Sequence, residues 1–153
     1  MTTIDVNPVL DPMANSQGAR LWVERIGHRR YTGHNDRGAR VEIGNTGDAG
    51  VFGPVELMKL ALAGCAGLTA DSSLSRRLGD DVPVTIEVGG PTDGPEDRVP
   101  AFAERLVVDL TGLADDEREK LLVVLHRAIT EHCTVSRTLE AGASVTLTVA
   151  SEG

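Results

Sequence analysis

Two residues in this chain have side chains suited to covalent chemistry, Cys65 and Cys133. A thiolate attacks peroxides and disulfides, and a second thiol in reach can close the first into a disulfide. Cys65 lies in Leu62-Ala63-Gly64-Cys65-Ala66-Gly67-Leu68, and Cys133 in Glu131-His132-Cys133-Thr134-Val135-Ser136-Arg137. Two widely separated cysteines form neither a disulfide scaffold nor a zinc ribbon. The plain alternative for each is a small buried hydrophobe. Cys65 shares a stripe with Leu57, Ala61 and Leu68, as a core residue would.

The other candidate groups are weaker. His28, His34, His126 and His132 show no metal spacing, so no metal or cofactor is expected. Ser72, Ser73 and Ser75 form no nucleophile elbow. The glycine-rich stretch 44–53 precedes a helix, as phosphate loops do. It lacks the Gly-Lys-Ser/Thr ending and carries Asp48, so it reads as a flexible lid. Arg137 follows the second cysteine and reads as a neutraliser of a helix C-terminus.

The elements that must position the cysteines follow from periodicity. Residues 1–18 read as a loose arm and 19–153 as one domain. Residues 20–26 and 39–43 carry strand patterns, and Asn35-Asp36-Arg37-Gly38 between them reads as a turn, giving a hairpin or short meander. Pro54 opens a long helix that ends near Leu78 and is closed by Gly79. Lys59 is the only charge from Leu57 to Leu68, so the helix reads as buried on nearly every side. Its small residues, Gly64 and Gly67 among them, suit a closely packed neighbour. Residues 84–88 and 103–110 read as strands. A second helix follows, with Asp115 or Asp116 as cap, Glu119 in a capping box, and Leu121, Leu122, Leu125, Ala128, Ile129 and His132 as its apolar stripe. Val145, Leu147 and Val149 alternate as a last strand. The order predicts an α+β domain.

The chain has 153 residues, 41% hydrophobic, 25% charged and only 3% aromatic, with a net charge of -8. That composition is globular, with an aliphatic core. The negative charge argues against nucleic acid or anionic membrane as partners. The first 20 residues read as no secretory signal, and the weakly polar stretch 60–70 is too short to span a bilayer, so the cytoplasm is the expected compartment.

Three local sequences resemble the OsmC/Ohr family: Pro54-Val55-Glu56-Leu57 with Ala61-Leu62-Ala63-Gly64-Cys65, then His132-Cys133-Thr134-Val135-Ser136-Arg137-Thr138-Leu139, and Asn35-Asp36-Arg37-Gly38 where that family carries an active-site arginine. The resemblance covers about residues 19–150. It implies antiparallel sheets packed around a long central helix in an intertwined homodimer. It also implies a thiol-dependent peroxidase that reduces organic hydroperoxides, with Cys65 attacking, Cys133 resolving and Arg37 activating. The reductant would be an external dithiol, which in the family can be a lipoyl group. Two positions depart from the family pattern. Val55 stands where the family glutamate directly follows the proline, and Glu56 comes one residue later. Nine residues before Cys65, Glu56 lies half a helical turn away from it. It could act across a dimer, bridge to Arg37, or simply favour the helix N-terminus. Thr134 stands where proline is common after the second cysteine. The alternative readings are a non-catalytic protein binding a lipid-like ligand in an apolar groove, and a redox sensor.

Overall fold

The computed structural model describes residues 13–15 and 19–151. Most of the expected N-terminal arm lies outside them. The chain forms two compact units: residues up to Pro54 with those from Ala143 onward, and Val55–Gly142.

The first unit is a meander of β1 (Leu21–Gly27), β2 (Arg30–Asn35) and β3 (Arg40–Ile43), all antiparallel in that order. The middle strand, Arg-Tyr-Thr-Gly-His-Asn, has no clean alternation, which is why the sequence pattern passes over it. Cross-strand pairing holds it instead. Trp22 opposes His34, with their rings stacked at 5.2 Å, and the Thr32 hydroxyl donates to Glu42. The irregular Ile26 coincides with a register shift between Arg25 and Gly27. The expected turn after β2 is real. The Asn35 side-chain oxygen accepts from the amides of Arg37 and Ala39, both at 2.9 Å, and Gly38 takes φ +90°, which glycine adopts freely.

The two ends of the glycine-rich stretch, expected as a lid, are tied to each other and to β3. Phe52 forms a bridge to Ile43, its amide donates to the Glu42 carbonyl, and its carbonyl accepts from Gly44.

In the second unit, α1 (Pro54–Leu78) starts at the proline and ends at Gly79, whose φ is +94° and whose amide donates to the Ser75 carbonyl. Strands β4 (Val84–Gly89) and β5 (Ala103–Val108) pair antiparallel, joined by a loop in which Asp93 and Arg98 exchange backbone bonds. Gly90 in that loop is obligatory, because a Cβ there would meet the Ala101 carbonyl at 2.5 Å. Helix α2 (Asp115–His132) ends at Cys133, and α3 (Thr134–Ala141) begins at the next residue. The core joins Ala70 and Leu74 of α1 to Leu121 and Leu125 of α2, with Leu106 and Val108 of β5 packed against them.

Five expectations change here. Helix α1 is not buried on nearly every side within one chain. Leu62, Ala63, Ala66, Ala70 and Leu74 form its buried face, whereas Leu68 is 82% exposed and Leu60 44%. Gly67 does face a close neighbour, since a Cβ there would meet Ile86 at 3.3 Å, but Gly64 faces open space. Helix α2 has Ala114 as its N-cap and no side-chain cap, so neither aspartate caps it. Asp115, Asp116 and Glu117 fill its first turn instead, where the helix dipole favours them. Its buried residues are Leu121 and Leu125, and Leu122 and His132 face outward. The last strand is not formed. Val145, Leu147 and Val149 alternate as expected but are 92%, 77% and 77% exposed. A period of two predicts which residues share a face, yet a strand also needs an edge to pair with. Ahead of that segment the chain forms an unexpected α3, whose Val135 and Leu139 lie one helical turn apart.

Candidate active site

Cys65 sits mid-way along α1, half-buried, on the border of that helix's covered face. Cys133 is the junction between α2 and α3 and is 0% exposed. Its backbone is extended (φ -72°, ψ 102°), so the chain breaks the helix there and restarts it in a new direction. Its amide still closes α2 onto the Ile129 carbonyl at 3.0 Å, and its carbonyl accepts from Arg137 at 3.0 Å as α3 begins. The Arg137 guanidinium donates to the Glu131 carbonyl at 3.0 Å, which fits its expected place at a helix C-terminus.

This junction sets the first amides of α3 where they favour a charge on the Cys65 sulfur. Burial pushes the Cys65 thiol up, but four donors outweigh it and hold the thiol below its ordinary range. They are the Val135 amide, the Cys133 thiol, the Thr134 amide and the Thr69 hydroxyl, in decreasing order. The cause is charge-assisted hydrogen bonding to the thiolate. Cys133 moves the opposite way. Burial raises it, the Ser136 amide lowers it, and the negative charges of Cys65 and Glu104 raise it further. Glu104 on β5 is itself raised by burial. The pair is therefore asymmetric: Cys65 is held down and Cys133 is pushed up, so Cys65 is the more readily ionised of the two thiols.

An apolar cavity of about 500 Å³, within the usual size range for small-molecule sites, opens among α1, α2 and the β4–β5 pair, and neither cysteine lines it. Ala66, the residue after Cys65, lines it with Ile86, Leu106, Leu125 and Ile129, and Glu104 and His126 are among its polar groups.

The structure thus brings the two predicted cysteines together. Glu56 lies in the first turn of α1, nine residues from Cys65 on the same helix. Arg37 belongs to the first unit, on the β2–β3 turn, where its guanidinium pairs with Asp36 at 3.2 Å. Both side chains are largely exposed, and such a pair is weak. Sequence reasoning missed Thr69, the amides of Thr134 and Val135, and Glu104. Thr69 was visible as a hydroxyl one turn after Cys65. The amides depend on α3, which no cap or proline announces, and Glu104 reaches Cys133 only through the tertiary fold.

The OsmC family, described as OsmC-like protein, matches residues 47–148. The chain belongs to this family. It is 48% identical over 134 residues to an uncharacterized protein of Mycobacterium tuberculosis (strain ATCC 25618 / H37Rv), covering 88% of this chain and 98% of that protein. An uncharacterized protein of Mycobacterium bovis matches with the same identity and coverage. Among solved structures, the OsmC-like protein from Mycoplasma pneumoniae superposes with a TM-score of 0.62 at 12% identity, over 82% of this chain and 89% of that one. An OsmC-like protein of unknown function from Vibrio cholerae gives 0.57 at 15% identity, over 80% and 93%. These likenesses establish the α+β OsmC-like fold. No helix among the described residues is long and apolar enough to cross a membrane.

Proposed function

We propose that this OsmC-like protein is a thiol-dependent peroxidase that reduces organic hydroperoxides to alcohols. The observation that carries the reading is the asymmetric cysteine pair, in which Cys65 ionises more readily than an ordinary thiol and Cys133 less readily. The Cys65 thiolate attacks the terminal peroxide oxygen. The O–O bond breaks, the sulfur is oxidised to sulfenic acid, and the alkoxide takes a proton from water and leaves as alcohol. Cys133 then attacks the sulfenic sulfur. An S–S bond forms, the S–O bond breaks, and hydroxide departs with the Cys133 proton as water. An external dithiol, a lipoyl group being one chemical candidate, reduces the disulfide and is itself oxidised.

The apolar cavity at Ala66 favours a hydrocarbon substituent over hydrogen peroxide, since burial of apolar area strengthens binding. Arg37 is proposed as the cation that assists the reaction, a role it could take only by exchanging Asp36 for the site. Glu56 is proposed as its carboxylate partner in place of the glutamate absent at Val55. The reading includes a homodimer: a second copy would cover the exposed Leu60 and Leu68 face of α1 and offer an edge to 145–149. Cytoplasmic residence is part of the same proposal.

The test is turnover of cumene hydroperoxide with dihydrolipoamide as reductant. Wild type turns over and Cys65→Ser does not. Cys133→Ser gives one turnover and stops at a sulfenic acid trappable by dimedone. Equal peroxide consumption by wild type and Cys65→Ser would leave the lipid-binding reading standing.

A further inference from the structure

The β4–β5 pair has one face toward the helices and one toward solvent. Its register sets Val84 opposite Val108, Ile86 opposite Leu106 and Val88 opposite Glu104, so these six share a face. Val84, Leu106 and Val108 pack against the core of α1 and α2, which makes Glu104 the one charged residue on the inner face of this pair. On the outer face, Glu87 stands opposite Arg105 and forms an ion pair with it. Glu104 has no such counterpart: no hydrogen bond or ion pair joins it to another described residue, and burial alone pushes its carboxyl above the ordinary value. It lines the apolar cavity with Ile86, Leu106 and Ile129, and its exposure puts it at the cavity's mouth. His126 and Thr130, one turn apart on α2, line the same cavity.

We propose that this cavity binds a primary amine with a hydrocarbon body, the ammonium held by Glu104 at the mouth and the hydrocarbon by Ile86, Leu106 and Ile129. An ammonium has three donors and no acceptor. The cavity offers it a carboxylate, the Thr130 hydroxyl oxygen and the acceptor nitrogen that a neutral imidazole presents at His126. A cation at Glu104 also offsets the cost of holding a partly buried carboxylate. The net charge of -8 draws cations toward the chain and repels carboxylates. The proposal deepens the peroxidase reading and rests on its use of this cavity for the substrate's hydrocarbon part. Favoured hydroperoxides then carry a basic nitrogen, and those carrying a carboxylate at that end are rejected by Glu104. The plain alternative is that an inward-pointing charge on β5 only discourages edge-to-edge pairing of the sheet.

The experiment is calorimetric titration of the full-length reduced protein with octylamine, octanol and octanoate at physiological salt, where loose attraction to surface charge is screened. Octylamine should bind about tenfold or more tightly than octanol, the size of one charge-assisted hydrogen bond, and octanoate more weakly than octanol. Glu104→Gln keeps the shape and removes the charge, so it should bring octylamine and octanol within about threefold of each other. Ala66→Leu narrows the cavity and should weaken both. Should Ala66→Leu fail to fold, ethylamine makes the same point, since it lacks the hydrocarbon and should bind far more weakly than octylamine. An amine preference that survives Glu104→Gln overturns the proposal and leaves Glu104 as edge protection. Equal binding of ethylamine and octylamine, or no binding of octylamine, overturns it as well. The two readings fail separately. Selective amine binding by a protein that reduces no peroxide refutes the peroxidase and keeps the amine site. Turnover of cumene hydroperoxide by a protein with no amine preference refutes only the amine site.

Discussion

Replacing Thr134 by proline deletes one donor to the Cys65 thiolate and little else. Thr134 is the first residue of α3, where the amide is not part of the helix's own bonding and where proline's fixed φ is already helical. The residue before it, Cys133, has the extended backbone that a following proline demands. Folding should therefore survive. What is lost is the Thr134 amide bond to sulfur. A hydrogen bond to a charged group contributes about 1.5–3 kcal/mol. Cys65 is only half-buried, so water replaces part of the loss, and about 1.4 kcal/mol is a reasonable net cost, equivalent to tenfold in thiolate population. The more basic thiolate reacts faster, recovering roughly half of that on a logarithmic scale. The expected outcome is an upward-shifted alkylation midpoint and a rate at pH 7 about threefold below wild type. Thr134→Ala keeps the amide and should match wild type in both. Stopped-flow alkylation across pH, with urea melts to confirm folding, makes the comparison. If Thr134→Pro and Thr134→Ala behave alike, the start of α3 does not hold the thiolate, and the charge on Cys65 must be stabilised by another group.

Three further outcomes are expected. Ala66→Leu pushes three added carbons into the apolar cavity, so it should slow cumene hydroperoxide reduction about tenfold and hydrogen peroxide reduction far less, measured as kcat/KM. Arg37→Ala should slow peroxide reduction by about 30- to 1000-fold while leaving the urea midpoint within about 0.5 kcal/mol of wild type. A threefold or smaller kinetic effect would make Arg37 a turn residue only. The cysteines should also shape stability against pH. Cys65 is depressed in the fold, so its contribution grows as pH rises toward the ordinary thiol value and is lost as pH falls through the folded value. Cys133 is raised, so above the ordinary thiol value the unfolded state ionises first and stability declines. Urea melts of the reduced protein should show a shallow maximum near the ordinary thiol range, and Cys65→Ser should remove its rising arm.

Much of this arrangement is legible in the sequence, for identifiable reasons. Pro54 and Gly79 bracket α1 because each has a backbone preference that acts locally. The turn at Asn35-Asp36-Arg37-Gly38 is legible because a short side chain bonds its own backbone. The cysteine pair is legible through the resemblance of its flanking motifs. What escapes is whatever depends on partners distant in sequence. Strand β2 lacks alternation and owes its place to β1 and β3. The segment 145–149 has alternation and lacks an edge. The apolar residues of α1 do not reveal which face one chain can cover. At the site, Cys133 is recognisable, but its service as the joint that turns α3 toward Cys65 is not. That turn requires an extended residue between two helices, and no proline or glycine marks it.

The most direct measurement is a thiol count. Reduced protein is mixed with one equivalent of cumene hydroperoxide, and the remaining thiols are titrated with and without prior denaturation. The account predicts loss of both thiols per chain, one equivalent of alcohol, and an intramolecular Cys65–Cys133 disulfide in the peptide map. It predicts no rapid loss in Cys65→Ser. Survival of both thiols in the wild type, or equal loss in Cys65→Ser, would contradict it.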